Sequence, residues 1–276
     1  MSGSGPEPSD VPAWLSPIAD AASRVDITNQ RHGRPRGGAE ARAASVLVLF
    51  GEGEPDEVGR GESRTPATNA GDQTDVGEQT DVGHQGRHVL LLERSHDMRS
   101  HAGQVAFPGG AQDPDDADAV AAALREAAEE TGLDPTGVQV LATLAPLWLP
   151  PSNFSVTTVL AWWRTPSPVH PVDPAETASV HTIGLDELLE PANRVTMRHP
   201  SGYRGPAFFV RDLTVWGFTA VVLSHILAGA DWELPWDVDR VVDLPADVAA
   251  RSLAEHTTTQ QRVAHHPQAR NRLVQP

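Results

Sequence analysis

The run Arg125-Glu126-Ala127-Ala128-Glu129-Glu130-Thr131-Gly132-Leu133, with Gly109-Gly110 and the stretch 111–124 ahead of it, decides how this chain of 276 residues is read. Residues 119–128 are dominated by Ala, Leu, Arg and Glu, all strong helix formers, so a helix is expected over 116–131. Gly132 stands where that helix should stop, in the left-handed conformation a residue without Cβ accepts. Glu126, Glu129 and Glu130 are spaced i, i+3 and i+4 and share one helical face. Like charges that close cost up to about 0.5 kcal/mol per pair on an exposed helix. A bound dication reverses that penalty, and carboxylate oxygens are the ligands hard Mg²⁺ takes alongside waters and substrate phosphates. A solvated acidic face answered by Arg125 accounts for the same residues without a metal.

Outward from this run the chain alternates strands and helices, which gives a mixed α/β (α+β) domain. Strands are expected at 45–50, 88–92, 138–144, 155–163 and 180–183. Trp14, Leu15, Ile18, Ala22 and Val25 fall at helical spacing. A late helix is expected over 215–228, with Val215, Phe218, Val222, Ile226 and Gly229 on one core-facing stripe. Residues 51–87 break the pattern. They are rich in Gly, Glu, Asp, Thr and Gln, and Gln73-Thr74-Asp75-Val76-Gly77-Glu78 is nearly repeated at 79–84. Such a stretch buries too little apolar surface to offset its ordering entropy and reads as a disordered insertion between two strands. The expected organisation is a tail with a short helix at 1–40, one domain at 41–235 carrying that insertion, and a partly disordered extension at 236–276.

Composition excludes several classes of chemistry. The chain has no cysteine, hence no disulfide framework, thiolate metal site or cysteine nucleophile. Every basic side chain other than histidine is arginine, so no lysine can act as phosphate ligand or Schiff base. A net charge of -16 argues against nucleic-acid partners, whose binding rests on neutralised phosphates. No Gly-x-Ser-x-Gly elbow marks a serine hydrolase. No apolar run reaches the roughly 18 residues of a membrane span, and the start lacks the basic and apolar regions of a signal peptide. A cytoplasmic protein without membrane partners is expected, and a homodimer is left open.

The 125–133 run resembles the end of the Nudix box, G-x5-E-x7-R-E-U-x-E-E-x-G-U, with Ala127 as a small aliphatic U. Counting from Gly110, Asp116 stands at the box's first glutamate, which mainly supports the loop–helix structure, and one extra residue precedes Arg125. A second pattern, Leu90-Leu91-Leu92-Glu93-Arg94-Ser95, Arg99, Gly103 and Phe107-Pro108-Gly109-Gly110, resembles L-L-T-x-R-S-x3-R-x3-G-x3-F-P-G-G of the coenzyme A pyrophosphatase branch. Leu92 in place of Thr is its one mismatch, and that branch shares the Asp and the one-residue shift. Val215-Trp216-Gly217-Phe218-Thr219-Ala220 resembles the start of the branch's late helix.

The resemblance implies an α/β/α sandwich with a mixed sheet and hydrolysis of a nucleoside-linked diphosphate with Mg²⁺, for which Mn²⁺ can substitute. The substrate implied is coenzyme A or acyl-CoA, giving 3′,5′-ADP and (acyl-)4′-phosphopantetheine. Carried over by position, Glu126, Glu129, Glu130 and the Gly110 carbonyl are metal ligands, and Glu126 is alternatively the general base. Glu176 stands where the branch often has a further acidic group from a later loop that binds metal or acts as base, and it is alternatively an ordinary exposed loop glutamate. Arg94, Ser95, Arg99, Phe107 and Gly109 form the substrate-binding segment, the two arginines matching phosphates bidentately. Arg94 is alternatively a surface ion pair with Glu93 or another neighbouring acid. Arg125 is expected to orient the glutamates, and His101 is not counted as a ligand. Trp148, Phe154, Trp162 and Trp163 offer either an adenine-stacking surface or core. The rival readings are a Nudix diphosphatase for ADP-ribose or NADH and a non-catalytic nucleotide-binding module.

Overall fold

The computed structural model describes residues 11–22, 41–53, 84, 86–98, 101–149, 152–246 and 248–253. Its helices are α1 (Ser16–Ala22), α2 (Ala119–Thr131), α3 (Leu185–Leu189) and α4 (Gly217–Gly229). The strands of the first sheet are β1 (Arg42–Glu52), β2 (Arg87–Arg94), β3 (Val105–Ala106), β4 (Gly109–Ala111), β5 (Val138–Thr143), β6 (Leu147–Leu149), β7 (Phe154–Trp163) and β8 (Thr177–Gly184). Their central order is β3-β2-β1-β7-β5, with β4 on β1, β6 on β7 and β8 on β2. β1 and β7 run parallel and the other pairs antiparallel, so the sheet is mixed.

Alternation along β1 sorts the core into two layers. Leu47 and Leu49 join Leu90 and Val159 against Ala123 and Ala127 of α2. Val48 and Phe50 point the other way, into a cluster with Ile18 of α1, Leu188 of α3 and Leu223 and Ile226 of α4. Period-two side chains on a two-faced sheet require a helix layer on each side. The result is the expected α/β/α sandwich.

A second sheet was not foreseen. β9 (Arg194–Arg198), β10 (Arg204–Val210), β11 (Leu213–Val215) and β12 (Val241–Asp243) assemble in the order β11-β10-β9-β12. Val215, expected on the late helix, ends β11, and the helix begins at Gly217. The single core-facing stripe expected for that helix is also corrected. Residues 219–223, Ile226 and Leu227 are all buried, because α4 lies between the first sheet and further packing rather than at a surface. Beyond α4, Arg194 is fully buried between the rings of Phe208 and Trp236, 4.8 and 4.7 Å from their centroids. It meets Glu233 at 2.6 Å and Ser224 at 2.7 Å, tying the segment after α4 to β9.

α2 starts at Ala119, three residues later than expected, because Asp118 caps it by accepting from the Ala121 amide at 2.9 Å. It ends on Gly132 at φ 69°, whose amide donates to the Ala128 carbonyl. The β1–β2 ladder runs to Glu52↔Arg87, and the Gly53 amide donates to the Gly86 carbonyl at 2.8 Å. The expectations for Val25, the first ten residues, residues 54–83 and residues beyond 253 lie outside the described residues. No described helix is long and apolar enough to cross a membrane.

Candidate active site

Two close approaches build the site. β4 pairs with β1 in the register Val46↔Gly109 and Ser45↔Gly110, laying the glycines beside the face that α2 covers. A Cβ on Gly109 would sit 2.3 Å from the Ser45 carbonyl oxygen, and one on Gly110 would sit 2.5 Å from the Glu126 carboxylate. No side chain fits at Gly109, where the neighbour is backbone, and one at Gly110 would displace the Glu126 carboxylate. On the helix, Ala122, Ala123 and Ala127 are fully buried, and these small contact residues let α2 lie close enough for its acids to reach the loop.

Glu130 is the innermost of those acids, with its side chain 9% exposed. Its Oε2 accepts from the Gly109 amide at 2.9 Å, and its Oε1 faces Nη1 of Arg94 at 3.6 Å. Burial pushes its pKa up to about 7; the Gly109 bond and Arg94 oppose this, while Glu126 and Glu176 add to it. Glu126 is also raised, by burial first, with Arg125 opposing and Glu129 and Asp113 adding. Glu129 points outward, 60% exposed.

Arg125 binds these acids together. Nη1 donates to Glu126 at 3.0 Å and to Glu129 at 2.9 Å, while Nε and Nη2 grip both oxygens of Asp116 at 3.0 Å. Nη2 also donates to the Ala111 carbonyl at 3.1 Å. The guanidinium thus joins helix, loop and β4 and holds the Asp116 carboxyl below the usual carboxylate range. This is the geometry expected of an arginine that orients glutamates, and of an aspartate that supports the loop.

The remaining expected residues are distributed unevenly. The Ser95 amide donates to the Glu176 carbonyl at 2.8 Å, which brings the exposed Glu176 loop beside Arg94. A register shift between Glu93 and Arg94 marks the irregularity that lets the two loops meet. Ser95 is 5% exposed and its Oγ accepts from the Asp97 amide, so its side chain shapes the turn. Phe107, 3% exposed, lies in the α4-side core; its part in substrate binding is corrected to anchoring the loop from beneath. Arg99 lies outside the described residues, as do Pro150 and Pro151. Trp163 is core, which removes it as a stacking surface, and Trp162, half-buried, packs against the other layer. Trp148, half-buried, donates to Asn153 at 3.2 Å, and Arg42 covers the Phe154 ring at 4.7 Å. Sequence reasoning missed the Arg94–Glu130 pair and the bond from the Thr219 hydroxyl to the Val105 carbonyl at 3.1 Å. Both join residues far apart in the chain and leave no local signal.

The donor chemistry fits a hard dication: two carboxylates with raised pKa, a third at their side, and a glycine backbone in contact with one of them. As the side chains stand, arginines answer these acids, and among the described residues no three acids or histidines are gathered into a ready cage.

The NUDIX domain family matches residues 81–201. A Nudix hydrolase of Photorhabdus laumondii, NudL, whose activity is uncharacterized, is 36% identical over 141 residues, 50% of this chain and 74% of the relative. Its namesake in Pectobacterium atrosepticum is 38% identical over 141 residues, covering 50% and 72%. A solved Nudix hydrolase from Nitrosomonas europaea overlays loosely, with a TM-score of 0.40 and 13% identity over 75% of this chain and 81% of that one. With its fold, its glutamate-bearing helix and these relatives, the chain belongs to the Nudix family of hydrolases.

Proposed function

We propose that this chain is a divalent-cation-dependent diphosphatase that cleaves coenzyme A or acyl-CoA to 3′,5′-ADP and (acyl-)4′-phosphopantetheine. The observation that carries the hydrolase reading is the meeting of Glu126, Glu130 and the Glu176 loop around Gly109 and Gly110. A Mg²⁺ or Mn²⁺ ion would be held by Glu126, Glu129, Glu130 and the Gly110 carbonyl. Such an ion would neutralise the charge of a diphosphate and make the attacking water more acidic. In the reaction water attacks one phosphorus, the bond to the bridging oxygen breaks, and the other phosphate leaves. Glu126 or Glu176 takes the proton of the attacking water. Arg94, beside the glutamates, supports the choice of substrate, since a guanidinium matches the extra phosphate of coenzyme A. The partner we propose is a small nucleotide, met in the cytoplasm, rather than nucleic acid or membrane; a homodimer stays open.

The test is turnover of coenzyme A, ADP-ribose and NADH, each with Mg²⁺ or Mn²⁺, products being separated by chromatography. Coenzyme A is expected to react fastest, and Glu126→Gln and Glu129→Gln to lower kcat by about a hundredfold or more, the scale of losing a base or charge-stabilising group. Faster loss of ADP-ribose or NADH would sink the coenzyme A assignment. Absence of turnover with either ion, with nucleotide binding retained, would make the protein a binding module.

A further inference from the structure

We infer that Arg94 is a stand-in cation: it neutralises Glu130 in the metal-free protein, yields Oε1 of Glu130 to the divalent ion, and then turns its guanidinium to substrate phosphate. The last step rests on the diphosphatase reading; the first two do not.

The two arginines of the site differ in what they can give up. Arg125 spends all three guanidinium nitrogens on Asp116, Glu126, Glu129 and the Ala111 carbonyl. Among the described residues Arg94 makes one ion pair, at 3.6 Å and longer than a hydrogen bond, and its buried Nε–H has no acceptor. A buried donor left unspent costs free energy here and calls for an acceptor in some other state of the protein. A phosphate oxygen supplies that acceptor.

The backbone confines the change to the side chain. The Arg94 amide donates to the Gln104 carbonyl at 3.0 Å, and its carbonyl accepts from Gly103 at 3.1 Å. Glu130 is equally asymmetric. Its Oε2 is held by the Gly109 amide, which the β1–β4 pairing fixes in place. Among the described residues its Oε1 is met only by the long, flexible Arg94 side chain. Once ionised, a buried carboxylate is stabilised by a counter-charge, and Arg94 provides it until a stronger one arrives. Arginine and dication therefore compete for one oxygen.

The experiment is Mn²⁺ binding to the full chain without substrate, by electron paramagnetic resonance. Arg94→Met should tighten Mn²⁺ by about fivefold, the scale of one removed ion pair. It should also lower the thermal midpoint of the metal-free protein at pH 8, with Mn²⁺ restoring it. In a Glu130→Gln background the same substitution should change neither quantity. Unchanged or weaker Mn²⁺ binding in Arg94→Met would overturn the inference. So would an equal gain in the Glu130→Gln background, which would mean a general field effect. Because these readouts need no turnover, inactivity toward coenzyme A would count against the substrate assignment alone. In an active enzyme Arg94→Met should raise KM more than it lowers kcat.

Discussion

α2 and α4 are both thirteen residues long and cover opposite faces of one sheet, yet they are built on opposite rules. α2 meets the sheet through alanines and carries its acids at the rim, where Glu126 and Glu130 reach the glycine loop. α4 is sunk among Phe50, Phe208 and Leu188 and has almost no polar face. The difference teaches that closeness of approach serves the chemistry on one side, while volume serves stability on the other. The sheet can hold like-charged glutamates on its α2 face while the α4 face supplies the larger apolar cluster.

Substitutions that exchange these rules test the contrast. Leu223→Ala on α4 should destabilise the protein by about 2–5 kcal/mol through a core cavity, leaving kcat of the folded fraction unaltered. Denaturant unfolding and active-site-normalised kinetics check both halves; a loss of kcat would mean that α4 governs the site as well.

The next effect is a pH dependence confined to the α2 side. Because the folded state raises the pKa of Glu130 to about 7 from an ordinary carboxylate value, it favours the protonated form. That contribution is fully present below about pH 4.5 and is lost as pH rises toward 7, on the order of 3 kcal/mol for the metal-free protein. His84 and His181, whose pKa values burial lowers, act with the opposite slope, so the quantity to measure is wild type minus Glu130→Gln. Stability curves of the two proteins should diverge between pH 4.5 and 7 in chelator and converge with Mg²⁺. Parallel curves in chelator would show that Glu130 is not held as the geometry describes.

Ala127→Leu should cost about 1–3 kcal/mol by overpacking and should also lower turnover, since it pushes α2 and its acids off the loop. Full activity in a destabilised Ala127→Leu protein would break the link between closeness and chemistry. The smallest effect is expected from replacing residues 54–83 with a short turn. The β1–β2 ladder and the Gly53–Gly86 bond already bring the ends together. Shortening that loop should stabilise by under about 2 kcal/mol and spare turnover, whereas loss of folded yield would assign the segment a structural part.

Much of the α2 side was legible in the chain, because its signals are local. The helix, its stop at Gly132 and the shared face of Glu126 and Glu130 follow from spacing within a few turns. Glu129 shares the stripe by spacing, and only the structure shows that it turns to Arg125 and solvent. The α4 side was less legible. Val215 and Phe218 fit a helical stripe, yet Val215 pairs with Phe208 in a strand, and residues 194–215 escaped notice as a sheet. Those strands are short and their apolar positions irregular, so their pairing is decided by neighbours far along the chain.

By itself the sequence determined that one helix would carry closely spaced carboxylates and stop at Gly132, because helical period and the lack of a Cβ are properties of a few adjacent residues. Only the tertiary structure decided which carboxylate is buried, which arginine answers it, and that Phe107 anchors from below. Those outcomes depend on strand register and on helix-to-sheet distance, and both are set by contacts between residues that the chain keeps far apart.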